Sequence, residues 1–334
     1  MNLLIGNNSL NIKNVGQKRY SHSSTKGDNK KNLWILPKQN LEYYGFKYRN
    51  QEELNLTNEN FDDYFSNFRC VIFFRTNAFI KKYYKNLQNN KKFKKILYVD
   101  DMHDSPEIKE LKDLDSEFYN IFDLILSTYA YTFNNFFPEC KVPIYWYPHS
   151  FNNIFKTINY NVDPKNELLL SGAITKKIYP IRYKLSFLKD KYPITILQHP
   201  GYQRRSNHNK VGLRYYEYVN EFRFGFTCCS CKELPYIVAK FFEIPACGAC
   251  LIAYDKYVKE PLKELGFIDG ENYISISDDN LEDKLRWIFD SKNNKEIERI
   301  RKNGFDFVRN NHMLNHRIDN LISYLKDNNF YIDA

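Results

Sequence analysis

Lys240-Phe241-Phe242-Glu243-Ile244-Pro245-Ala246-Cys247-Gly248-Ala249-Cys250-Leu251-Ile252-Ala253 joins two patterns. Its first half is apolar except for Lys240 and Glu243, three residues apart, a spacing that puts both on one face of a helix. Gly248 marks a turn, and Ala249–Ala253 has the length and composition of a buried strand. A second apolar run, Phe222–Thr227, lies upstream, so the stretch closes a strand–helix–strand unit. The same alternation runs through the chain. Strand patterns fall at Leu3–Gly6, Leu33–Leu36, Cys70–Arg75, Ile96–Asp100, Asp123–Thr128, Pro143–Trp146, Leu168–Ser171, Ile194–Leu197 and Tyr273–Ile276. Helical patterns fall near 78–88, 105–121, 129–137, 178–190, 211–220, 236–246, 257–265 and 280–290, with two more towards the C-terminus. Continuous apolar strands between helices argue for parallel sheets covered on both faces. The pattern occurs twice, with a break at Asn152–Lys165, where Asn, Asp and Pro cluster. The expected fold is α/β, with two doubly wound, Rossmann-like domains facing a cleft. They span residues 1–155 and 156–311, and residues 312–334 form a C-terminal helix packing back on the first domain. Ligands of such sheets bind at the carboxyl ends of the strands.

Length agrees with two domains: the chain has 334 residues, and single cores rarely grow past about 250–300 residues. No apolar run reaches the roughly 18 residues of a membrane-spanning helix, and mean hydropathy is −0.61. Residues 1–100 hold 18 Lys and Arg against 8 Asp and Glu; the rest hold 31 against 32. The whole basic excess therefore sits in the first third, which suits an anionic partner or a membrane surface, or is a solvated lysine face. Seven cysteines and no secretory leader pattern suggest a reducing, cytoplasmic setting. Residues 1–31 carry six Lys and Arg, four Ser and one acid, Asp28, which also suits an organelle transit peptide. Against that, Met1–Gly6 reads as the first buried strand.

Several chemistries are excluded by motif. The chain has no G-x-G-x-x-G, no G-x-x-x-x-G-K-[ST] and no G-x-S-x-G. Asp113-Leu114-Asp115 is a D-x-D, but it lies in a charge-rich helical pattern and reads as a solvated face. Cys228, Cys231, Cys247 and Cys250 form two C-x-x-C pairs separated by fifteen residues, a zinc-like spacing. One pair follows a strand and the other leads into its neighbour, so they fall at opposite strand ends, roughly 15–20 Å apart. No metal site is expected.

Three stretches look like site-building turns. Leu168–Ser171 opens at Gly172 into a loop followed by Lys176, Lys177 and Arg182, cations near a helix start that suit a pyrophosphate. Glu243 stands within an apolar run, where a carboxylate can accept ribose hydroxyls or pair with Lys240. Asp100-Asp101-Met102-His103-Asp104 closes a strand of the first domain, where an imidazole among carboxylates suits acid–base work or sugar binding.

Together these residues resemble the glycosyltransferases of the GT-B fold, and among them the group-1-like transferases related to spore-maturation proteins. Lys240–Gly248 followed by Ala249–Ala253 is similar to that family's basic residue, apolar pair, Glu, small residues, Gly and buried strand. Leu170–Gly172, Lys176, Lys177, Tyr179, Pro180 and Arg182 resemble its donor-phosphate loop. Trp146–Phe151 with Phe155 resembles the interdomain segment, and His312 with His316-Arg317 the closing His…Arg helix. The likeness covers roughly residues 95–325 and is weak over 1–90. It implies transfer of a hexose-type sugar from a nucleoside-diphosphate donor to a glycan, protein or lipid acceptor, with no metal and no cofactor beyond the donor. It implies donor binding by Ser171, Gly172, Lys176, Lys177, Arg182, Lys240, Glu243 and Gly248. His103, with Asp101 and Asp104, then acts on the reacting sugar. One departure stands out. Retaining members carry a second Glu eight positions before the first, where this chain has Pro235; Glu233 is out of register. Retention or inversion therefore stays open, and so does a GT-B protein that binds nucleotide-sugar or glycan without turnover. A sugar-nucleotide epimerase on the same fold is a further alternative. A nucleic-acid binder is disfavoured because no nucleic-acid motif accompanies the basic third.

Overall fold

The computed structural model describes residues 1–6, 41, 43–102, 106–198, 210 and 212–330. Among these, residues up to Pro148 and those from Asn315 onward form one compact unit, and His149–Leu314 form a second.

The first unit is built on six parallel strands: β1 (Asn2–Gly6), β2 (Phe46–Asn50), β3 (Cys70–Phe74), β4 (Lys94–Val99), β5 (Leu124–Ser127) and β6 (Ile144–Trp146), in the order β2-β1-β3-β4-β5-β6. Every residue of β1, β3 and β5 is buried. Burial on both faces is why these strands read as unbroken apolar runs. β1 lies between β2 and β3, with Leu3 opposite Lys47 and Val71. Loss of residues 1–31 would therefore take a strand out of the sheet's interior. β2 has no counterpart among the expected strands. Among the described residues it is an edge strand, and it buries Phe46, Tyr48 and Asn50 and exposes Lys47 and Arg49, so it offers alternation but no apolar run. The expected strand Leu33–Leu36 lies outside the described residues.

The helical pattern at 78–88 is two helices, Asn77–Lys82 and Tyr84–Asn89. They part at Tyr83, whose buried hydroxyl donates to the Leu56 carbonyl at 2.5 Å. The pattern at 105–121 is a helix only over Pro106–Leu114, with a 3-10 turn at Phe118–Ile121. The last helix, Leu314–Asp327, is tied into this unit by stacking of Tyr324 on Tyr145, with ring centroids 4.5 Å apart, and by the Tyr44 hydroxyl donating to Asp319 at 2.5 Å.

The second unit carries five parallel strands: β7 (Lys165–Gly172), β8 (Ile194–Gln198), β9 (Phe222–Cys228), β10 (Cys250–Tyr254) and β11 (Ile274–Ile276), in the order β11-β10-β9-β7-β8. In each sheet the second strand flanks the first on one side and the third flanks it on the other. Strand order thus reverses between β1 and β3, and again between β7 and β9. Crevices at such reversals, at the carboxyl ends, are where doubly wound sheets hold ligands.

The long helix Asn294–Asn311 packs on the helix Lys240–Ala246 and on β10. It is fixed by two arginines. Arg301, fully buried, donates from Nε to the Gly248 carbonyl at 2.6 Å and from Nη2 to the Asn161 carbonyl, pairs with Glu298, and lies 4.2 Å from the Tyr160 ring centre. Arg309 donates from Nε to the Ala246 carbonyl at 3.0 Å. Carbonyls left over at a helix C-terminus need such donors, and a cation there also suits the helix dipole. Among the described residues no helix is long and apolar enough to cross a membrane.

Candidate functional site

The reversal between β7 and β9 gathers the chemistry of the second unit. β7 ends at Ser171-Gly172. Gly172 sits at φ +105°, a conformation that side-chain-bearing residues rarely adopt. A Cβ there would stand 3.2 Å from Nη1 of Arg182 and 3.3 Å from Nζ of Lys240, so the bare backbone lets two cations close in on this turn. Arg182 comes from the helix Pro180–Ser186 and Lys240 opens the helix Lys240–Ala246. Arg182 is 3% exposed, donates from Nη1 to the Ala173 carbonyl at 2.9 Å, and lies over the Tyr179 ring. Its Nε is buried without a hydrogen-bond partner among the described residues, as is Oγ1 of Thr227 near the end of β9. Burial and the Arg182 charge hold Lys240 below the ordinary lysine range. No carboxylate forms an ion pair with either cation among the described residues. Two cations offset only by the more distant charge of Glu243, beside orphaned polar atoms, make a place where an added anion is favourable.

Glu243 lies one turn beyond Lys240, between Phe242 and Ile244, and is 7% exposed. It does not pair with Lys240. Its Oε1 accepts from the Tyr216 hydroxyl at 2.9 Å. Oε2 has no hydrogen-bond partner among the described residues. Burial pushes its carboxyl above the usual range, against the pull of Lys240 and the Tyr216 hydrogen bond. Tyr216 and its neighbour Tyr215 belong to the helix Leu213–Asn220. The Tyr215 hydroxyl lies 3.0 Å from Oγ of Ser171. One helix thus ties together the end of β7 and the carboxylate of Glu243.

Residues 184–323 match the family described as glycosyl transferase-like. Solved structures with the same chain path include the sucrose-phosphate synthase of Thermosynechococcus elongatus, at TM-score 0.57 and 11% identity, covering 97% of this chain and 98% of that one. An alpha-glucosyltransferase in complex with UDP-glucose and DNA containing an abasic site aligns at TM-score 0.57 and 12% identity, covering 83% and 84%. HepE of Anabaena, in complex with UDP, aligns at TM-score 0.53 and 9% identity, covering 84% and 86%. The chain has the GT-B glycosyltransferase fold. It spans 56% of the length of the pneumococcal O-GlcNAc transferase GtfA, at TM-score 0.47. No curated protein matches it in sequence.

Within this GT-B chain, Ser171, Gly172, Arg182, Lys240 and Glu243 come together in the second unit. Lys176 and Lys177 do not join them: both are exposed on the turn after β7. Gly248 is a structural turn, at φ +84°, whose carbonyl is taken by Arg301. His312 is packed among Phe242, Phe267 and Phe307, with Nε2 2.9 Å from the Leu265 carbonyl. In the first unit, β4 ends at Val99; Asp100 pairs with Arg75 and Asp101 is exposed. His103 and Asp104 lie outside the described residues.

Asp113 is exposed, while Asp115 accepts the Tyr84 hydroxyl at 2.5 Å and caps the turn at Glu117. Cys228 is opposite Tyr254 and Cys250 is opposite Phe224, four rungs apart on neighbouring strands. In the basic first third, Lys47, Lys81, Lys82, Lys85, Lys91, Lys92 and Lys94 are exposed, whereas Lys95 is buried with Nζ donating to the Asn90 carbonyl at 2.6 Å. Tyr215, Tyr216, Arg301 and Arg309 are absent from the sequence reading. The helical pattern at 211–220 is its nearest signal, and it does not single out a tyrosine.

Proposed function

We propose that this protein transfers a hexose-type sugar from a nucleoside diphosphate to an acceptor, with Arg182 and Lys240 holding the diphosphate and Glu243 the ribose. The observation that carries this reading is the convergence of two cations beside Gly172, neither in an ion pair with a carboxylate among the described residues. A diphosphate there replaces repulsion between like charges with charge-assisted hydrogen bonds. The two cations in turn offset the charge of the departing diphosphate. Ser171 and the exposed Lys176 and Lys177 stand on the same stretch of chain and add to the local positive potential. The family match over residues 184–323 supports the reading. So does the occurrence of UDP or UDP-glucose in the solved HepE structures of like fold.

Acceptor-side chemistry is assigned to His103 with Asp101 and Asp104, which follow the carboxyl end of β4 in the chain. A base there is expected to contribute roughly 10²–10⁴-fold to turnover. Titration calorimetry with UDP, GDP and ADP, and release of diphosphate from a panel of nucleotide-sugars, test the reading. Binding together with sugar release upholds it. Binding without release leaves a nucleotide-sugar-binding protein, the reading that Pro235 in place of a second Glu favours. No binding by any of them removes both.

A further inference from the structure

We infer that Tyr216 is a positioning residue for ribose recognition: its hydroxyl, held on Oε1 of Glu243, fixes the carboxylate so that Oε2 meets the ribose hydroxyls. The inference rests on the proposed donor site and goes beyond it, because it sets which sugar the nucleotide carries. Four observations lead to it. The Tyr216 hydroxyl donates to Oε1 at 2.9 Å, the one hydrogen bond Glu243 makes through its side chain among the described residues. The ring is locked by Phe155 and Phe151, with centroids 4.5 and 5.2 Å away, so the hydroxyl has one place to point. The next residue back, Tyr215, meets Ser171 at 3.0 Å, which pins the same helix to the strand end carrying Gly172. Glu243 itself is flanked by the buried Phe242 and Ile244, and Lys240, one turn back, acts on its charge without hydrogen-bonding to it.

Oε2 of this largely buried carboxylate is left to accept from whatever reaches it. Ribose supplies two adjacent hydroxyls, whereas a dideoxyribose supplies none. A site built to hydrogen-bond a hydroxyl rejects the analogue lacking it. Without Tyr216 the carboxylate is free to rotate, and burial favours its protonated form, which cannot accept in the same way.

The test compares UDP, GDP and ADP with their 2′,3′-dideoxy counterparts by calorimetry. A charged hydrogen bond of about 1.5–3 kcal/mol corresponds to a preference for the ribonucleotide of roughly 10–100-fold. Tyr216→Phe keeps the ring and removes the hydroxyl. It is expected to cut that preference at least about fivefold and to leave affinity for the dideoxy compound unchanged. Glu243→Gln is expected to abolish the preference. If Tyr216→Phe keeps the full preference while Glu243→Gln loses it, the inference fails and the donor-site reading stands. If Glu243→Gln keeps it too, or no diphosphate binds, both fail. Should Tyr216→Phe not fold, Tyr216→Gln and Tyr216→Met replace it, one a donor and one not. Preference retained by Gln and lost by Met supports the role, and equal preference in the two overturns it.

Discussion

Arg182 and Lys240, on different helices, bring their charges to the same place: a Cβ on Gly172 would lie within 3.2 Å of one and 3.3 Å of the other. Like charges gathered in a partly buried place are a standing electrostatic strain that an anion relieves.

Removing the Lys240 charge therefore affects stability and binding differently. Lys240→Met is expected to leave the melting temperature of the ligand-free protein equal or higher, whereas Arg182→Gln also takes the donor from the Ala173 carbonyl and is expected to lower it. UDP affinity should fall by about 1.5–3 kcal/mol, the range of charge-assisted hydrogen bonds. Because Lys240 sits below the ordinary lysine range, binding should weaken as pH rises through its lowered value and the cation loses its proton. Calorimetry across pH measures this. Affinity that holds steady with pH in wild type, or survives both substitutions, would place the diphosphate elsewhere.

Glu243 gives a second pH signature. Its folded-state carboxyl is held above the ordinary value of 4.5, mainly by burial. The unfolded chain releases this proton first as pH rises. Stability from this group is thus full below about 4.5 and is lost as pH climbs through the raised folded value. Ligand-free Glu243→Gln should melt above wild type at neutral pH, with the gap closing in acid. Thermal melts from pH 4 to 8 read the sign directly, and a gap that widens in acid contradicts the assignment.

Arg301 is expected to be a large stability determinant with no part in the chemistry. Arg301→Met leaves the carbonyls of Gly248 and Asn161 without their donor. The expected loss is roughly 2–4 kcal/mol, from unsatisfied buried acceptors. Urea unfolding measures it, and a loss under about 0.5 kcal/mol, the level of an ordinary surface change, would mean that the carbonyls find other partners.

The cysteines should bind no structural zinc. Four rungs of strand between Cys228 and Cys250 amount to roughly 13 Å, and zinc–sulfur bonds are about 2.3 Å. Metal analysis of the purified protein, with melting before and after chelation, checks this; one zinc per chain together with a chelator-sensitive fold would show the thiolates reaching one another.

The sheets were readable in the sequence because most of their strands are buried on both faces. Cys70–Phe74, Ile96–Val99 and Leu168–Leu170 carry no polar residue to blur the run. β2 was not, since an edge strand with Lys47 and Arg49 outward looks like any polar loop. Glu243 and Lys240 were legible as charges in an apolar stretch, and Gly172 and Arg182 as parts of a loop pattern. Lys176 and Lys177 looked equivalent to Arg182 in the sequence; only helix geometry turns one cation inward and leaves two outside. Tyr216 is one of 27 tyrosines, and nothing local marks it as the one whose hydroxyl meets Glu243. Arg301 and Arg309 lie on a helix rich in charge, and which of its cations point inward is decided by contacts far along the chain.

That distance bears on how the protein is made. The Ala246 and Gly248 carbonyls, at the far end of the Glu243 helix, wait for partners 63 and 53 residues downstream. At synthesis rates of about 5–20 residues per second, the end of that helix faces water for roughly 3–12 seconds before Arg309 exists to meet it. During translation, the end of the helix carrying Glu243 therefore stays without these donors until the final long helix has left the ribosome.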